Sequence, residues 1–439
     1  MKKRVVAVLV LLAAVVLISP VIVGRMAERS MDDNLNWAAS ESGEVKITSE
    51  RFVRGWFSSE GQHRIELLDG DVLTAVQAYA GPMAADELPA LIINTHLDHG
   101  LIPVSSVSRK GGSLLPGLGS AVSTLQLELP NGEVVDLPGT IYSKVTLGGD
   151  LRSNYVLPAG SYSIENATAT WGDINVDVTT DPASGEVAFD GTIGALSLGD
   201  GADAVQLNGL TFDGKQKPTS YGFAVGDIKF VLDGLTVASN GAQAVGVRAM
   251  SVTANTAIDD GDLESDATMN MTLYDIPQFG EMSMNMDLSL SGMDVELLDR
   301  MQRTVESMGP TPDPTAIFPR IEEDAKRLFA SGFELNFDEL NVTLPQGTIS
   351  SKMLFSFDER DPATFAWTSL LLSSEASIDL SIPEALVEIV VQDNPQAAMA
   401  IAGGFLVKQG SAYEMNAELK KGLLTVNGAP IPIPMGLIQ

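Results

Sequence analysis

The sequence predicts an α+β protein, in which an N-terminal transmembrane helix precedes a large, mainly antiparallel β-sheet ectodomain with packed helices. Three observations predict this class. Residues 5–23 form an almost unbroken apolar run. Apolar and polar residues then alternate between Asn-Gly and Asp-Gly dipeptides, a pattern typical of antiparallel strands joined by tight turns. After the juxtamembrane segment, amphipathic patterns at helical spacing return only near residue 294.

The apolar run predicts a membrane anchor. At about 1.5 Å per residue, roughly nineteen residues span about 28 Å, close to the ~30 Å hydrocarbon core of a bilayer. Lys2, Lys3 and Arg4 precede the run and acidic residues follow it, so the positive-inside rule keeps the N-terminus cytoplasmic and sends the remaining chain outward. A cleaved signal peptide is the alternative, but its apolar region would be shorter, roughly 7–15 residues. The length therefore favours an uncleaved anchor.

Composition limits the partners and the chemistry of the chain. It has 439 residues and a formal net charge of −30. Such an acidic chain repels phosphate backbones and anionic headgroups, so we expect no nucleic-acid partner. The sequence contains no Cys, which excludes disulfides and thiol catalysis. Hydrophobic residues make up 45% of the chain, which indicates a folded protein rather than a disordered one.

The β-rich middle is predicted from turn dipeptides and alternation. Asn-Gly and Asp-Gly supply the positive φ angles that tight hairpins need. These predicted turns are Asn131-Gly132, Asp190-Gly191, Asn208-Gly209, Asp213-Gly214, Asp233-Gly234, Asn240-Gly241 and Asp260-Gly261. Residues 45–67 predict a first hairpin. The clearest strand has Met282, Met284 and Met286, followed by Leu288 and Leu290, alternating with polar residues, which places these five side chains on one face.

Helical patterns appear late in the chain, at residues 294–307, 315–330, 384–392 and 396–407. Asn394-Pro395 is a start signal for the last of them. The chain closes with a predicted hairpin whose last stretch carries Pro430, Pro432 and Pro434, and Pro confines a strand to a sheet edge because it lacks an N–H donor. We divide the chain into a cytoplasmic tip and anchor (1–24), a juxtamembrane helix and β-rich ectodomain (25–293), a helical pair with a Pro-rich linker (294–331) and a C-terminal segment of strands, two helices and a closing hairpin (332–439).

Four motifs at the two ends of the chain carry a family resemblance. They are RFVRGWFSSEGQHRIEL (51–67), HLDHGLIP (96–103), AGGFLVKQGSAYEMNAELKKG (402–422) and LLTVNGAPIPIP (423–434). Together with the anchor and the β-rich middle, they resemble the YdgA-like family of bacterial inner-membrane-anchored envelope proteins, whose function is not established. In the family's usual form, Pro directly follows the His-Gly pair, whereas Leu101 and Ile102 intervene here. The resemblance implies a single-pass inner-membrane protein with a periplasmic ectodomain.

Three clusters of residues could hold a metal ion, and for each of them we favour an ordinary structural role without a metal. His96, Asp98 and His99 are the ligand types that zinc takes, but the two His of a strand segment would point to opposite faces. Residues 259–266 resemble a calcium loop, but counted from Asp260 they lack the turning Gly and the closing Glu. The Met residues at 269, 271, 282, 284 and 286 could hold Cu(I), yet Met also fills cores. We predict no metal, no cofactor and no catalytic residue.

The ligand-binding residues that we predict are Arg54, Trp56, Phe57, Met282, Met284 and Met286. Aromatic side chains serve as recognition anchors, and a Met-rich face adapts to an apolar ligand. The first hypothesis is therefore a membrane-anchored periplasmic binding or scaffold protein that holds a lipid on an apolar sheet face. The alternative is a protein-interaction module for envelope assembly. A metal-dependent enzyme that uses His96, Asp98 and His99 is the third, and we expect the protein not to be an enzyme.

Overall fold

The computed structural model describes residues 45–54, 58–68, 88–99, 119–146, 148–164, 167–199, 204–239, 242–243, 246–276, 279–308, 314–367 and 370–432. These residues form mainly antiparallel β-sheet with packed helices, which confirms the α+β class. The apolar run at 5–23 and the predicted juxtamembrane helix lie outside the described residues. Within the described ranges, no helix is both long enough and apolar enough to cross a bilayer.

The chain divides into two compact units. The first comprises Met1–Lys217 and Leu232–Ala244, and the second comprises Pro218–Val231 and Val245–Gln439. The predicted helical pair at 294–331 and the C-terminal segment at 332–439 both belong to the second unit.

The first unit is a long antiparallel meander. Its strands are β1 (Val45–Arg54), β2 (Ser58–Leu67), β3 (Ala90–His99), β4 (Gly119–Glu128), β5 (Val134–Val145), β6 (Leu151–Leu157), β7 (Gly160–Ile164), β8 (Ala167–Trp171), β9 (Ile174–Thr180), β10 (Val187–Ile193), β11 (Leu196–Gly199) and most of β12 (Ala204–Pro218). The strands pair in the order β1-β2-β3-β4-β5-β6-β9-β10-β12. A second row, β7-β8-β11, joins the other half of β12. The predicted first hairpin is β1–β2.

One face of this meander is closed. Alternation along the strands directs apolar side chains to a single face, where Leu91 and Leu125 are each 1% exposed and Val176 is 2% exposed. The pairing Ile141↔Tyr155↔Val176 across β5, β6 and β9 belongs to the same face. Its members are therefore removed from water, as a hydrophobic core requires.

Several predicted turns are strand interiors instead. Asn131-Gly132 and Asp260-Gly261 are turns, and Asn240-Gly241 lies outside the described residues. The prediction is wrong for Asp190-Gly191, Asn208-Gly209, Asp213-Gly214 and Asp233-Gly234, which lie within strands. A Cβ on Gly191 would come within 2.5 Å of the Phe212 ring on the neighbouring strand. This glycine therefore makes room for a cross-strand ring, a use that a local turn signal cannot distinguish.

The second unit is another antiparallel meander. Its strands are β15 (Gly246–Asp259), β16 (Asp262–Ile276), β17 (Gly280–Asp294), β18 (Phe333–Leu344), β19 (Gly347–Phe357), β20 (Ser374–Pro383), β21 (Val407–Gln409), β22 (Ala412–Lys420), β23 (Leu423–Val426) and β24 (Ala429–Ile431). Two further strands, β13 (Ala224–Ser239) and β14 (Ala242–Gln243), precede them, and β13 is divided between the units. The pairing order is β15-β16-β17-β18-β19-β20-β22-β23-β24, with β21 beside β22. Pro430 lies in β24 at the end of this order, as the edge prediction requires.

The described helices all belong to the second unit. They are α1 (Val295–Glu306), α2 (Pro314–Ser331), the short α3 (Leu370–Ser373), α4 (Glu384–Asp393) and α5 (Pro395–Ala402). The side chain of Asp294 accepts a hydrogen bond from Leu297 N at 2.9 Å and caps α1. The prediction that the last helix continues to residue 407 is wrong. Gly404 adopts a φ of 73°, which ends the helix, and Val407 begins β21.

Candidate functional site

The candidate site is the apolar face of the second unit's sheet. Alternation in β17 places Met284 and Met286 on one face and Asn285 on the other. Antiparallel register extends this face across neighbouring strands. One cross-strand row is Val252, Met269, Met286, Leu340, Ser351, Leu380 and Met415, and the next is Ala254, Ala267, Leu288, Phe337, Met353, Ile378 and Ala417. The predicted Met282, Met284 and Met286 therefore belong to a face that spans seven strands, β15–β20 and β22.

The apolar side chains of this face are only half-buried. From β15 through β19, all of whose residues the structure describes, each of them keeps partial exposure to solvent. The corresponding face of the first unit contains Leu91 and Leu125 at 1% exposure. Similar residue types therefore form a closed face in one unit and an open face in the other.

The opposite face of the same sheet is polar. Asn270, Asn285 and Asn341 follow one another across β16, β17 and β18. Asp266 and Asn270 are exposed, whereas Met269 and Met271 on the other face are half-buried. The sheet is thus amphipathic, with one face suited to water and one suited to an apolar partner.

Aromatic side chains cover one end of the open face. The Phe329 ring of α2 lies 4.9 Å from the Phe357 ring and 5.5 Å from the Phe333 ring, between centroids. Trp367 packs against Phe329 at 5.6 Å, and its Nε1 donates to Glu322 Oε1 at 3.1 Å. Hydrogen bonds from Lys326 and then from Trp367 hold the pKa of Glu322 below its usual value. This cluster fixes α2 against the sheet.

A pocket opens beside α1 and α2. Its volume is about 360 Å³. The lining residues are Phe223, Leu263, Leu298, Met301, Gln302, Val305 and Ile321. Six of these side chains are apolar, and the seventh is an uncharged amide. Leu263 belongs to β16 and shares the parity of Met269 and Met271, so the pocket lies on the apolar side of the sheet.

Only some of the predicted ligand-binding residues lie within the part of the chain that the structure describes. Met282, Met284 and Met286 are neighbours on the open face. Arg54 ends β1 in the first unit, while Trp56 and Phe57 lie outside the described residues.

Sequence reasoning missed the residues on neighbouring strands that share a face with Met282, Met284 and Met286, such as Leu340 and Met415. Each shows the same alternation within its own strand, but only the register brings them into one row. It also missed the pocket, because helical spacing in α1 does not show which residues of other elements lie opposite its apolar stripe.

The metal candidates have the following geometry. His96 Nε2 lies 3.2 Å from Asp98 Oδ1, and His96 Nδ1 lies 3.7 Å from Glu60 Oε1. His99 follows three residues after His96 in β3 and so belongs to the opposite face. In the part of the chain that the structure describes, no group of three His, Asp or Glu side chains is placed to hold a metal ion.

The acidic segment at 259–266 is the hairpin that joins β15 and β16, with its turn at Asp260-Gly261. Burial, and then the carboxylates of Asp294 and Asp260, raise the pKa of Asp262.

Comparison with known proteins finds a family model that matches most of the chain. The model for "Bacterial protein of unknown function (DUF945)" matches residues 1–434. Protein YdgA of Escherichia coli (strain K12) is 24% identical over 263 residues, which cover 54% of this chain and 49% of that protein. The aligned region thus spans about half the length of this curated relative. No solved structure matches the chain.

Proposed function

We propose a function for this chain from the premise that it belongs to the bacterial DUF945 family, whose function is unknown. The chain is a membrane-anchored periplasmic binding or scaffold protein of the bacterial envelope. It holds a lipid or a similar hydrophobic ligand on the open apolar face of β15–β20 and β22.

One observation carries the proposal, namely a mainly apolar face whose side chains keep partial exposure to solvent instead of being buried. Six strand spacings of about 4.8 Å give roughly 29 Å across the face, and the eight residue steps from Met282 to Leu290 give roughly 27 Å along it. The face therefore extends over roughly 800 Å² of sheet, and its apolar side chains keep partial exposure across that area. A hydrophobic ligand on this face would remove that surface from water.

The N-terminal sequence supports the location. The apolar run at 5–23, preceded by Lys2, Lys3 and Arg4, suits a single-pass inner-membrane anchor with a cytoplasmic N-terminus. A protein held in this way stays tethered to a bilayer, which is a source of lipid. Arg54, Trp56 and Phe57 stay predicted ligand contacts from the sequence.

Site-specific photocrosslinking of the full-length chain in intact bacteria tests the proposal. The photoreactive residue p-benzoylphenylalanine is placed at position 284 or 286 on the open face. Position 285, between them on the polar face, is the matched control. We expect lipid adducts, identified by mass spectrometry of the crosslinked peptide, at 284 and 286 in clear excess over 285. Equal adduct levels at the three positions, in a chain that is expressed and folded, would refute lipid binding.

An exposed apolar patch supports the second candidate function, a protein-interaction module. Met399 of α5 is 70% exposed, and Phe405 and Val407 are each 41% exposed. Exposed apolar residues at this density mark interaction surfaces. The same crosslinker at position 399 should trap one reproducible protein partner, whereas position 397, on the opposite side of the same helix, should not. Failure to trap any protein at 399 would count against this second function.

A further inference from the structure

We infer that the pocket beside α1 and α2 receives the methyl end of an acyl chain whose remainder lies on the open face. The inference rests on the proposed function and names the part of the ligand that each surface contacts. The pocket binds hydrocarbon, and the polar headgroup stays outside it.

The lining of the pocket is chemically suited to hydrocarbon. Leu298, Met301 and Val305 lie at i, i+3 and i+7 of α1, so they form one stripe of the helix. Leu263, Phe223 and Ile321 complete the apolar wall. A headgroup would find no ion-pair partner among these residues, whereas a hydrocarbon chain loses nothing by leaving water.

The charged residues of α1 are engaged elsewhere. Arg300 forms an ion pair with Asp324 at 2.9 Å, and Arg303 forms one with Asp299 at 2.8 Å. The one polar lining residue, Gln302, donates from Nε2 to Glu306 Oε1 at 2.7 Å. The helix therefore presents its apolar stripe to the pocket while its charges satisfy one another.

The size of the pocket suits a chain end. At about 360 Å³, it is near the lower limit of small-molecule sites, which run from roughly 300 to 1,000 Å³. A whole two-chain lipid would not fit, but the terminal part of one chain would. Met301 adds a flexible side chain that can adapt to chains of different length.

The pocket is continuous with the open face along β16. Leu263 lines the pocket, and after the polar Ser265 the apolar residues Ala267, Met269, Met271 and Leu273 follow on the same face. The ten steps from Leu263 to Leu273 cover roughly 33 Å. One leaflet contributes about half of the ~30 Å hydrocarbon thickness. An extended acyl chain that ends in the pocket is therefore short enough to lie along this face, where it would pass Ser265 between Leu263 and Ala267.

A bulge in β17 lies beside Leu263, the residue of β16 that lines the pocket. The register between β16 and β17 shifts at Leu263/Ser265, and the backbone N–H of Gly292 donates to Glu264 Oε1 at 3.1 Å. Gly292 has a φ of 76°, a conformation that glycine adopts without strain. Bulges of this kind redirect a strand, and here the bulge lies where the chain end would leave the face.

Two photoreactive lipids distinguish the ends of the chain. Full-length protein is incubated with phosphatidylethanolamine that carries a diazirine either at the methyl end or near the carboxyl end of one acyl chain. We expect the methyl-end probe to label α1 within residues 298–305 and the carboxyl-end probe to label the strands. Filling the pocket with Met301→Trp should reduce methyl-end labelling of α1 by roughly tenfold, since added volume is poorly tolerated in a packed site.

The controls separate this inference from the proposed function. Glu296→Trp adds the same ring on the solvent side of α1, where Glu296 is 72% exposed, and should leave the labelling unchanged. Val305→Phe fills the same pocket if Met301→Trp does not fold. Methyl-end labelling that is spread over the sheet, or that survives both filling variants, would overturn the inference alone. No labelling of β17 by either probe would overturn the proposed function as well.

Discussion

Tyr155 is a buried phenol on the closed face of the first unit. Its side chain is 5% exposed, and a Cβ on Gly139 would lie 3.1 Å from its hydroxyl. Burial raises the pKa of Tyr155 from 10.0 to about 12, because the tyrosinate would lose its hydration. The residue thus links the stability of the first unit to alkaline pH.

We expect the first unit to lose stability between about pH 10 and pH 12 through this residue. The pKa is raised in the folded state, so the stabilising contribution is complete below the unfolded pKa and disappears as pH rises through the folded pKa. The difference between a pKa of 10.0 in the unfolded state and about 12 in the folded state corresponds to a loss of at most roughly 2.7 kcal/mol in the free energy of unfolding. Denaturant unfolding at about pH 8 and pH 12 should show this loss in the native chain and not in Tyr155→Phe. Tyr162→Phe, at a side chain that is 40% exposed, should keep the loss.

Three aspartates stand side by side on the polar face of the first unit. Asp177, Asp190 and Asp213 are direct cross-strand partners on β9, β10 and β12. Burial, and then the carboxylates of Asp177 and Asp213, raise the pKa of Asp190. Like charges in register destabilise a sheet, so this position opposes folding at neutral pH.

Asp190→Asn should raise the melting temperature at neutral pH. The raised pKa means that the favourable, protonated state of Asp190 is complete below the ordinary carboxyl pKa and is lost as pH rises through the folded value. The stabilising effect of the variant should therefore shrink as pH falls towards about 3. Calorimetry at both pH values measures it. A variant that is no more stable than the native chain at neutral pH would contradict the argument.

Asp181 is the matched control, because its pKa is shifted in the direction opposite to that of Asp190. Hydrogen bonds from Ser184 Oγ and then from Ala183 N hold the pKa of Asp181 below its usual value. The stability that ionised Asp181 contributes is therefore present above the pKa of the unfolded state and is lost as pH falls through the pKa of the folded state. Asp181→Asn should therefore lower the melting temperature at neutral pH, where Asp190→Asn raises it.

At the scale of elements, the two apolar faces differ in how well they are packed. Leu125 of β4 is 1% exposed, whereas Met286 of β17 is half-buried. Truncation of a fully buried Leu removes its transfer free energy and leaves a cavity, but a half-exposed side chain leaves no enclosed cavity.

We expect Leu125→Ala to lower the free energy of unfolding of the first unit by roughly 2–5 kcal/mol. Met286→Ala should lower that of the second unit by no more than about half as much. Single-tryptophan variants that keep Trp171 or Trp367 report the two units separately by fluorescence during denaturation. Equal decreases in the free energy of unfolding for the two variants would mean that the face around Met286 is as closed as the face around Leu125.

At the scale of elements, the sequence predicts well what depends on local pattern. The alternation of β17, the helical pattern of α1 and the start of α5 after Asn394 are confirmed, because each depends on neighbours within a few residues. Gly191 was misread as part of a turn because its partner, Phe212, lies 21 residues away. The end of α5 at Ala402 was misread because the two glycines that follow were counted as helix.

At the scale of the whole molecule, the two units should respond differently to lipid. The proposed ligand binds the second unit, and a ligand stabilises only the folded state that binds it. Lipid extraction of the full-length protein should therefore lower the unfolding midpoint reported by Trp367 and leave the one reported by Trp171 unchanged.

Met284→Glu is the matched variant for this experiment. It places a charge on the open face, which would have to be buried on lipid binding, and it should abolish the difference between lipid-loaded and extracted protein. Asn285→Glu, on the polar face of the same strand, should preserve it. A lipid-dependent shift that appears equally in both units would contradict a ligand site in the second unit.

The sequence by itself determined the α+β class, the positions of the first hairpin and of the four longer helices, and the common face of Met282, Met284 and Met286. These features follow from side-chain periodicity, which acts over a few residues. Only the tertiary structure decided that this face joins rows from seven strands and stays partly exposed while the face around Leu91 is closed. Burial depends on what packs against a strand from distant parts of the chain, and the alternation of apolar and polar residues is the same in either case.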